Sequence, residues 1–390
     1  MRLKMIGLAA LAASGLLAGA AAAQEYKIGA VNSVTGPLGL FGQSVQKGTE
    51  VALDMVGRKV FGRNITITWE DDETKPQVTA QKGAKLMASN PDLVLGSANT
   101  PSTLALMKLT EQRKIPHLIT LGGGDPITGS ERTAYAWRTT IRLGMENRVG
   151  AQYIKAAKLK CIYGVSFDYQ VTRARWDDMK KLIESEAGAK ICGESFSPID
   201  NVDFALMIEN AIRSGADGFW IDIPGNIGTA FLKQAVQVNL QSKMKLFGPV
   251  VIDEESAAAI GPGSIGVSTG IRWHWSMDNA PSKKFVEAFR KKYNETPDQY
   301  AGEAYDGMMW WLDNIEKTKT FDKEKLMEAF SKSVWDEKSI KPKRVMRACD
   351  HQALQNGYWA EIVKGAAGQP PYVLKITNTF PAEVLFPPCT

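Results

Sequence analysis

Residues 96–103, written GSANTPST, place small hydroxyl and amide side chains between the apolar run DLVL and the helix-like run LALMKLTEQRK. A strand that leads through such residues directly into a helix leaves N–H groups of the helix N-terminus unpaired beside several hydroxyl groups. The positive end of the helix dipole adds to this, so the segment can bind a small anion. Asn, Ser and Thr are also ordinary N-caps, and the segment by itself favours ordinary capping.

The elements that would position this segment alternate between strands and helices from Tyr26 onward. In the first third of the chain, the strand-like runs are YKIGAV, NITITW, DLVLG and IPHLITL, and the helices between them are predicted over 43–56, over 76–88 and after GSANTPST. A second series contains CIYGVSF, AKICGESF, DGFWIDI and KLFGPVV, again with helices between the strands. This alternation predicts the α/β class, with two doubly wound units built on parallel sheets and covered on both faces. The late helices could return to the first unit.

The N-terminal residues have the pattern of a secretory signal peptide. Arg2 and Lys4 precede an apolar run from Met5 to Leu17, and small residues lead to Gln24. This order predicts export and cleavage near Ala23. The run is too short for a membrane anchor, and no cysteine lies at the cleavage site. We therefore expect a soluble mature chain that begins near Gln24.

Four cysteines allow three disulfide pairings in an exported chain. Cys161 and Cys192 open successive strand-like runs, and Cys349 and Cys389 both lie in the C-terminal region. We favour the pairs Cys161–Cys192 and Cys349–Cys389, because the second pair would hold a tail that otherwise frays. Free thiols in one or both pairs are the alternative.

The residue patterns of the common catalytic sites are missing. The three histidines are far apart in the sequence, and neither a Gly-x-Ser-x-Gly nor a P-loop pattern is present. The run GPGSIG at 261–266 precedes a strand, the reverse of a dinucleotide site. The acids at 70–73 form either a cation site or, as we favour, a solvated loop. We expect no catalytic residue, no metal and no cofactor.

The charge balance does not indicate nucleic acid as a partner. The formal net charge is +5, and removal of the signal peptide takes away two basic residues and no acid. The remaining basic residues are scattered, with no basic stripe among exposed aromatic side chains. An exported chain of two α/β units without a catalytic pattern indicates binding of a small molecule.

Six segments, taken in order, resemble a known family. They are IGAVNSVTGPLGLFGQSVQKGTEVA, WEDDETKP, VLGSANTPSTLA, IPHLIT, FRKKYNETPDQYAGEAYDGM and MRACDHQAL. Through them the chain resembles the periplasmic solute-binding proteins of ABC importers, in the branched-chain amino acid (Leu/Ile/Val-binding) group. The resemblance implies the type I periplasmic binding fold, in which two lobes are joined by a three-crossover hinge and hold the ligand between them. We assign residues 24–142 plus 275–348 to lobe 1 and residues 143–274 plus 349–390 to lobe 2, after the signal peptide 1–23.

The resemblance also implies which residues contact the ligand. Thr100 corresponds to a hydroxyl that binds the carboxylate, with Ser102 and Thr103 beside it. The backbone N–H groups of Gly122, Gly123 and Gly124 would add donors, although the family often has a hydroxyl at the position of Gly124. An aromatic residue after the first turn maps to Phe41. The aromatic wall of the second lobe maps to Phe167 or Tyr169.

Two positions depart from the pattern of amino-acid binders in this group. Those proteins hold the ligand's ammonium group with an acid in a Gly-Pro-Glu-like turn, whereas this turn is Gly248-Pro249-Val250. The companion tyrosine is replaced by Asp222 or Ile223. We therefore expect an aromatic or aliphatic organic acid, with an amino acid as the alternative. Trp220, Trp273 and Trp275 would either form a wall for such a ligand or pack in the core.

The function that follows from the resemblance is capture of a small carboxylate ligand and its delivery to an ABC permease in the inner membrane. We expect a periplasmic monomer without enzymatic activity. A ligand-sensing protein of the same fold is the main alternative. An exported enzyme that uses Asp168, Asp222 or Asp253 is a further one.

Overall fold

The computed structural model describes residues 25–223 and 225–389, so the predicted signal peptide lies outside the described residues. The elements of the first half are β1 (Tyr26–Asn32), α1 (Gly39–Met55), β2 (Lys59–Val60), β3 (Arg63–Asp71), α2 (Pro76–Met87), β4 (Leu93–Gly96), α3 (Thr100–Arg113), β5 (His117–Ile119), β6 (Ala136–Arg138), α4 (Leu143–Ala156), β7 (Cys161–Phe167), α5 (Gln170–Leu182), β8 (Lys190–Ser197) and α6 (Ala205–Arg213). The elements of the second half are β9 (Gly218–Asp222), α7 (Gly225–Gln237), β10 (Lys245–Pro249), α8 (Glu254–Ile260), β11 (Ser268–Ile271), α9 (Ala280–Tyr293), α10 (Gln299–Thr318), α11 (Lys323–Ser331), β12 (Val334–Trp335), β13 (Arg344–Met346), β14 (Ala353–Leu354), β15 (Gly357–Lys364), β16 (Tyr372–Phe380) and α12 (Ala382–Leu385).

The first sheet has the strand order β2-β3-β1-β4-β5-β6. Its pairings are parallel except for the short edge strand β2, which is antiparallel to β3. Strand β1 lies at its centre and is buried at every residue but Lys27, as expected for a parallel strand covered on both faces. The predicted helix over 43–56 begins earlier, at Gly39.

The second sheet has the strand order β16-β15-β11-β10-β9-β7-β8. Strands β7 to β11 pair in parallel, whereas β15 and β16 add two antiparallel strands at one edge. The prediction of two doubly wound α/β units is confirmed, and the antiparallel hairpin is an addition to it. A small third sheet has the order β12-β13-β14.

The chain passes three times between the two large sheets, at residues 139–142, 272–279 and 355–356. Helices α9 and α10 return to the first sheet, where Phe285 and Trp311 share a core with Tyr26 and Ile28. The small third sheet also packs there, because Ala353 of β14 belongs to the same core. We call the units around the first and second sheets the first and second lobes.

Two disulfide bonds join the cysteines in the favoured pairs. Cys161–Cys192 links β7 to the edge strand β8. Cys349–Cys389 links the segment before β14 to the C-terminal tail. Among the residues that the structure describes, no helix combines the length and the apolar character needed to cross a bilayer.

Candidate functional site

The glycine loop, residues 122–124 after β5, has its carbonyl groups occupied and its N–H groups free. The carbonyls of Gly122 and Gly124 accept hydrogen bonds from Arg138 Nη1, at 3.4 and 2.7 Å. The carbonyl of Gly123 accepts one from the N–H of Leu143 at 2.8 Å. Within residues 25–223 and 225–389, the N–H groups of the three glycines donate to no protein group. The loop therefore holds donors for a group that is not part of the chain.

The N-terminus of α3 is largely satisfied by the protein itself. Asn99 is the N-cap, and its Oδ1 accepts a hydrogen bond from the N–H of Ser102 at 2.7 Å. The N–H of Thr103 donates to the Asn99 carbonyl, and Pro101 has no N–H. The capping interpretation of GSANTPST therefore holds locally, and the N–H of Thr100 is the donor that remains in the first turn.

The three predicted hydroxyl ligands differ in how they are placed. Ser102 and Thr103 are fully buried, and the Thr103 hydroxyl donates to the Asn99 carbonyl at 2.8 Å. The Ser102 hydroxyl has no partner within the described chain. Thr100 is half-buried and lies against the glycine loop, since a Cβ on Gly124 would be 2.3 Å from Thr100 Oγ1. The fold thus brings GSANTPST and the glycine loop into contact.

Gly96 is required by the sheet rather than by a ligand. Its φ is +131°, and a Cβ there would lie 1.8 Å from the carbonyl oxygen of Val31 on β1. Gly96 therefore allows a close approach between neighbouring strands.

The acids at 70–73 are less solvated than the loop that the sequence favours, because only Glu73 among them is exposed. Asp72 is fully buried, and its carboxylate accepts hydrogen bonds from the hydroxyls of Ser33 and Ser97. Asp71 accepts from the N–H groups of Val34 and Thr35, at 2.9 and 3.2 Å. These two acids hold the loops that surround the start of α1 and the end of β4.

An apolar cluster lies beside the glycine loop. The Phe41 and Tyr300 rings have centroids 4.7 Å apart. Phe41 and Val250 pack against a small core that contains Ala98 of GSANTPST and Leu121, which directly precedes the glycine loop. Val250 directly follows β10 of the second lobe, so residues of both lobes meet here. The predicted residues Phe41, Thr100, Gly122, Gly123 and Val250 are therefore gathered in one place.

The predicted residues of the second lobe have more varied surroundings. Phe167 is buried in the core of that lobe, and Tyr169 is 45% exposed with its ring 6.4 Å from that of Phe167. Asp222 is buried and accepts a hydrogen bond from Arg175 Nη1 at 3.2 Å, while its other oxygen has no partner among the described residues. Burial raises the pKa of Asp222, and the Arg175 charge opposes this rise. Ile223 is fully buried.

A chain of buried and half-buried charges connects the glycine loop to Asp222. Arg272 donates to Glu146 at 2.8 Å, and Arg175 donates to the other oxygen of Glu146 at 3.0 Å. The Arg272 guanidinium lies 3.8 Å from the place of a Cβ on Gly123 and 5.3 Å from the centre of the Tyr300 ring. Sequence reasoning missed these residues. The available signal was Arg272, a charged residue directly after the largely buried strand β11.

The tryptophans proposed as a wall do not line this place. Trp220 and Trp273 are each 1% exposed and belong to the cores of the two lobes. Trp275 lines a separate cavity of about 880 Å³ between residues 272–279, the loop at 336–342 and the β15–β16 hairpin. Apart from Trp275, none of the residues predicted to contact the ligand lines that cavity.

Comparisons with known proteins agree with this architecture. A family model described as periplasmic binding protein matches residues 25–368. The Leu/Ile/Val-binding protein homolog 6 of Brucella suis biovar 1 (strain 1330) is 26% identical over 392 residues, 97% of each chain. A solute-binding protein of an ABC transporter from Rhodopseudomonas palustris BisB5, solved in complex with 3,4-dihydroxybenzoic acid, is similar with a TM-score of 0.81 and 24% identity, over 92% of this chain and 98% of that one. An ABC transporter substrate-binding protein from Sphaerobacter thermophilus has a TM-score of 0.85 and 20% identity, over 92% and 98%.

Proposed function

We propose that this chain, which belongs to the periplasmic binding protein family, captures a small carboxylate-bearing ligand between its two lobes and delivers it to the permease of an ABC importer. The observation that carries the proposal is the glycine loop, whose carbonyls are bonded within the protein while its N–H groups are not. Backbone N–H groups without partners are rare in protein interiors, and the three glycines are buried or half-buried, so these N–H groups indicate a ligand with acceptor atoms.

The donors of this site suit an anion. Hydrogen bonds to a charged group contribute about 1.5–3 kcal/mol each. Three or four such bonds from the glycine loop and Thr100 are sufficient for a micromolar complex, which needs about 8 kcal/mol, once burial of the ligand body offsets the cost of association. Phe41, Tyr300 and Val250 supply the apolar surface for that body.

The ligand class that we propose is an aromatic or aliphatic organic acid. An α-ammonium group buried in the cleft needs an acid beside it. Val250 stands where amino-acid binders have that acid, and Asp222 is buried and bonded to Arg175. The similar Rhodopseudomonas palustris protein was solved with an aromatic acid, and this supports the same class here.

We further propose that residues 1–23 are a signal peptide cleaved near Ala23, and that the mature protein acts in the periplasm as a monomer without chemical turnover.

Because β14 packs with the first lobe, we propose residues 24–142 plus 275–354 as that lobe. The second lobe then comprises residues 143–274 and the chain from residue 355 onward. The hinge consists of the passages at 139–142, 272–279 and 355–356.

A thermal-shift and calorimetric screen of the purified mature chain with benzoate, 4-hydroxybenzoate, hexanoate and leucine tests the proposal. We expect an acid without an ammonium group to raise the melting temperature by several degrees, because 100-fold saturation adds about 2.7 kcal/mol. Mass spectrometry should recover that acid unchanged.

The variant Thr100→Val should weaken binding of that acid about tenfold, since it removes one donor. Thr110→Val is the matched control, because Thr110 lies on the same helix and its hydroxyl bonds, among the described residues, only to the Met107 carbonyl. Preference for leucine would refute the ligand class, and product formation would refute the binding role. Absence of binding to every acid would refute carboxylate capture.

A further inference from the structure

Arg138, the last residue of β6, is a fully buried cation without an acidic partner. It is 0% exposed, and no carboxylate of the described chain lies within 4.0 Å of its guanidinium. Burial lowers the pKa of Arg138 to about 9, so the group still carries its proton at neutral pH. A buried charge of this kind is costly unless hydrogen bonds surround it.

Neutral acceptors surround Arg138, and two of them belong to the glycine loop. Its Nη1 donates to the carbonyls of Gly122 and Gly124. Its Nη2 donates to the hydroxyl of Thr128, and its Nε donates to Gln352 Oε1 at 2.6 Å. The guanidinium thus ties the glycine loop to a segment more than two hundred residues later in the chain.

Because the peptide bond is planar, a hydrogen bond that fixes the direction of a carbonyl also fixes the direction of the next residue's N–H group. In a trans peptide the C=O and N–H bonds point in opposite directions. A Gly122 carbonyl turned towards Arg138 therefore turns the N–H of Gly123 away from it. In the same way, the Gly124 carbonyl turns the N–H of Asp125 away from Arg138. Neither N–H donates to a described protein group.

We propose that Arg138 is the positioning residue of the ligand site: it orients the N–H groups of Gly123 and Asp125 towards the ligand carboxylate and balances the ligand's charge through these two peptide units. This inference rests on the proposed function, because it requires the glycine loop to bind an anion. It adds Asp125 N–H to the predicted donors and gives the site a cation that does not touch the ligand.

Further hydrogen bonds hold Arg138 and its partner Gln352 in place. Gln352 Nε2 donates to the carbonyl of Thr140 at 2.8 Å, and the N–H of Arg138 donates to the carbonyl of His351 at 2.9 Å. Thr140 belongs to the first passage between the lobes. The glycine loop, the first passage and the segment before the third passage therefore share one hydrogen-bond network.

The variant Arg138→Lys tests the proposal, because lysine keeps the charge but lacks the fork that reaches both carbonyls. Arg344→Lys is the matched control, since Arg344 is also 0% exposed in the first lobe but lies beside Asp306, away from the glycine loop. Titration calorimetry with the tightest acid of the screen should show affinity lowered about tenfold to a hundredfold in Arg138→Lys and unchanged in Arg344→Lys.

Amide chemical shifts of the ligand-free protein supply a readout that does not depend on the ligand. The ¹H–¹⁵N resonances of Gly123 and Asp125 should shift in Arg138→Lys and not in Arg344→Lys, because only the first variant alters the hydrogen bonds to the carbonyls of these two peptide units. Thr128→Val, which removes one acceptor of Arg138, serves if the lysine variant does not fold, and should shift the same two resonances by less. Unchanged affinity together with unchanged shifts would overturn the positioning role. Failure of the wild type to bind any acid, with shifted resonances in the variant, would refute carboxylate capture and leave the orientation of the loop supported.

Discussion

The hydroxyl groups of GSANTPST have different roles, because some of them already donate hydrogen bonds within the protein and others do not. The Thr103 hydroxyl donates to a backbone carbonyl of its own segment, so it is not available to a ligand carboxylate. Thr100, one turn earlier, lies against Gly124 and is only half-buried. A motif such as GSANTPST therefore shows that donors are present, but not which of them remain unpaired.

His117 is buried in the first sheet as a neutral side chain. Its Nε2 bonds to the carbonyl of Gly96, and its Nδ1 has no partner in the described chain. Burial lowers the pKa of His117 to about 4, although the Gly96 carbonyl opposes this. The unfolded chain, with a pKa near 6.5, takes up the proton first, so His117 lowers stability progressively as the pH falls from about 6.5 to about 4.

The variant His117→Gln should remove this part of the pH dependence. We expect the wild type to lose about 2 kcal/mol more unfolding free energy than the variant between pH 7 and pH 4.5, as measured by urea unfolding. His351→Gln is a suitable control, since the pKa of His351 is also lowered by burial but its ring is half-buried. Equal pH slopes for wild type and His117→Gln would show that His117 is not the group responsible.

The contact between α3 and the glycine loop joins two elements that follow neighbouring strands. Strands β4 and β5 are parallel and adjacent, so their carboxyl ends lie at the same edge of the sheet. That edge is where the fold class predicts a ligand, and GSANTPST and the glycine loop both lie there. The close fit depends on Gly124, where a side chain would meet Thr100.

The variant Gly124→Ala should lower the unfolding free energy by about 1–3 kcal/mol, because its Cβ would overlap Thr100. The φ of Gly124 is −58°, which any residue can adopt, so the effect is steric. Gly29→Ala is the control, since its Cβ would meet Leu86 at an ordinary 3.5 Å. Equal urea midpoints for the two variants would show that the loop and α3 are not in tight contact.

Hydrogen bonds and ion pairs distant in sequence hold the lobes together. The pair Arg272–Glu146 joins the second passage to α4 of the second lobe, and Val250 of the second lobe packs against the first. The disulfide Cys349–Cys389 holds the tail against the segment that carries Gln352. Loss of this bond should therefore affect both overall stability and the support of Arg138.

The double variant Cys349→Ser/Cys389→Ser should lose about 4 kcal/mol of unfolding free energy, the chain-entropy value for a loop of 40 residues. Cys161→Ser/Cys192→Ser, which opens a loop of 31 residues, should lose a similar amount. Urea unfolding measures both losses. The amide resonance of Gly123 should shift in the first variant and not in the second, and an equal effect in both would contradict a specific link between the tail and the glycine loop.

Local patterns were sufficient to predict much of this protein. The alternation of strand-like and helix-like runs predicts the two α/β units, and the order of six motifs predicts the family; the structure and the family match confirm both. These features depend on residues close in sequence, for which hydrophobic period and turn chemistry are strong signals.

Contacts between distant residues could not be predicted in this way. Arg138 meets Gln352, and Arg272 meets Glu146, across separations of 214 and 126 residues. Whether a hydroxyl is free, an acid is paired or a tryptophan is in the core depends on which segments the folded chain brings within about 3 Å. Sequence motifs show which hydrogen-bond donors and charges lie near the site, whereas the packing of the lobes determines which of them remain unpaired and can bind a ligand.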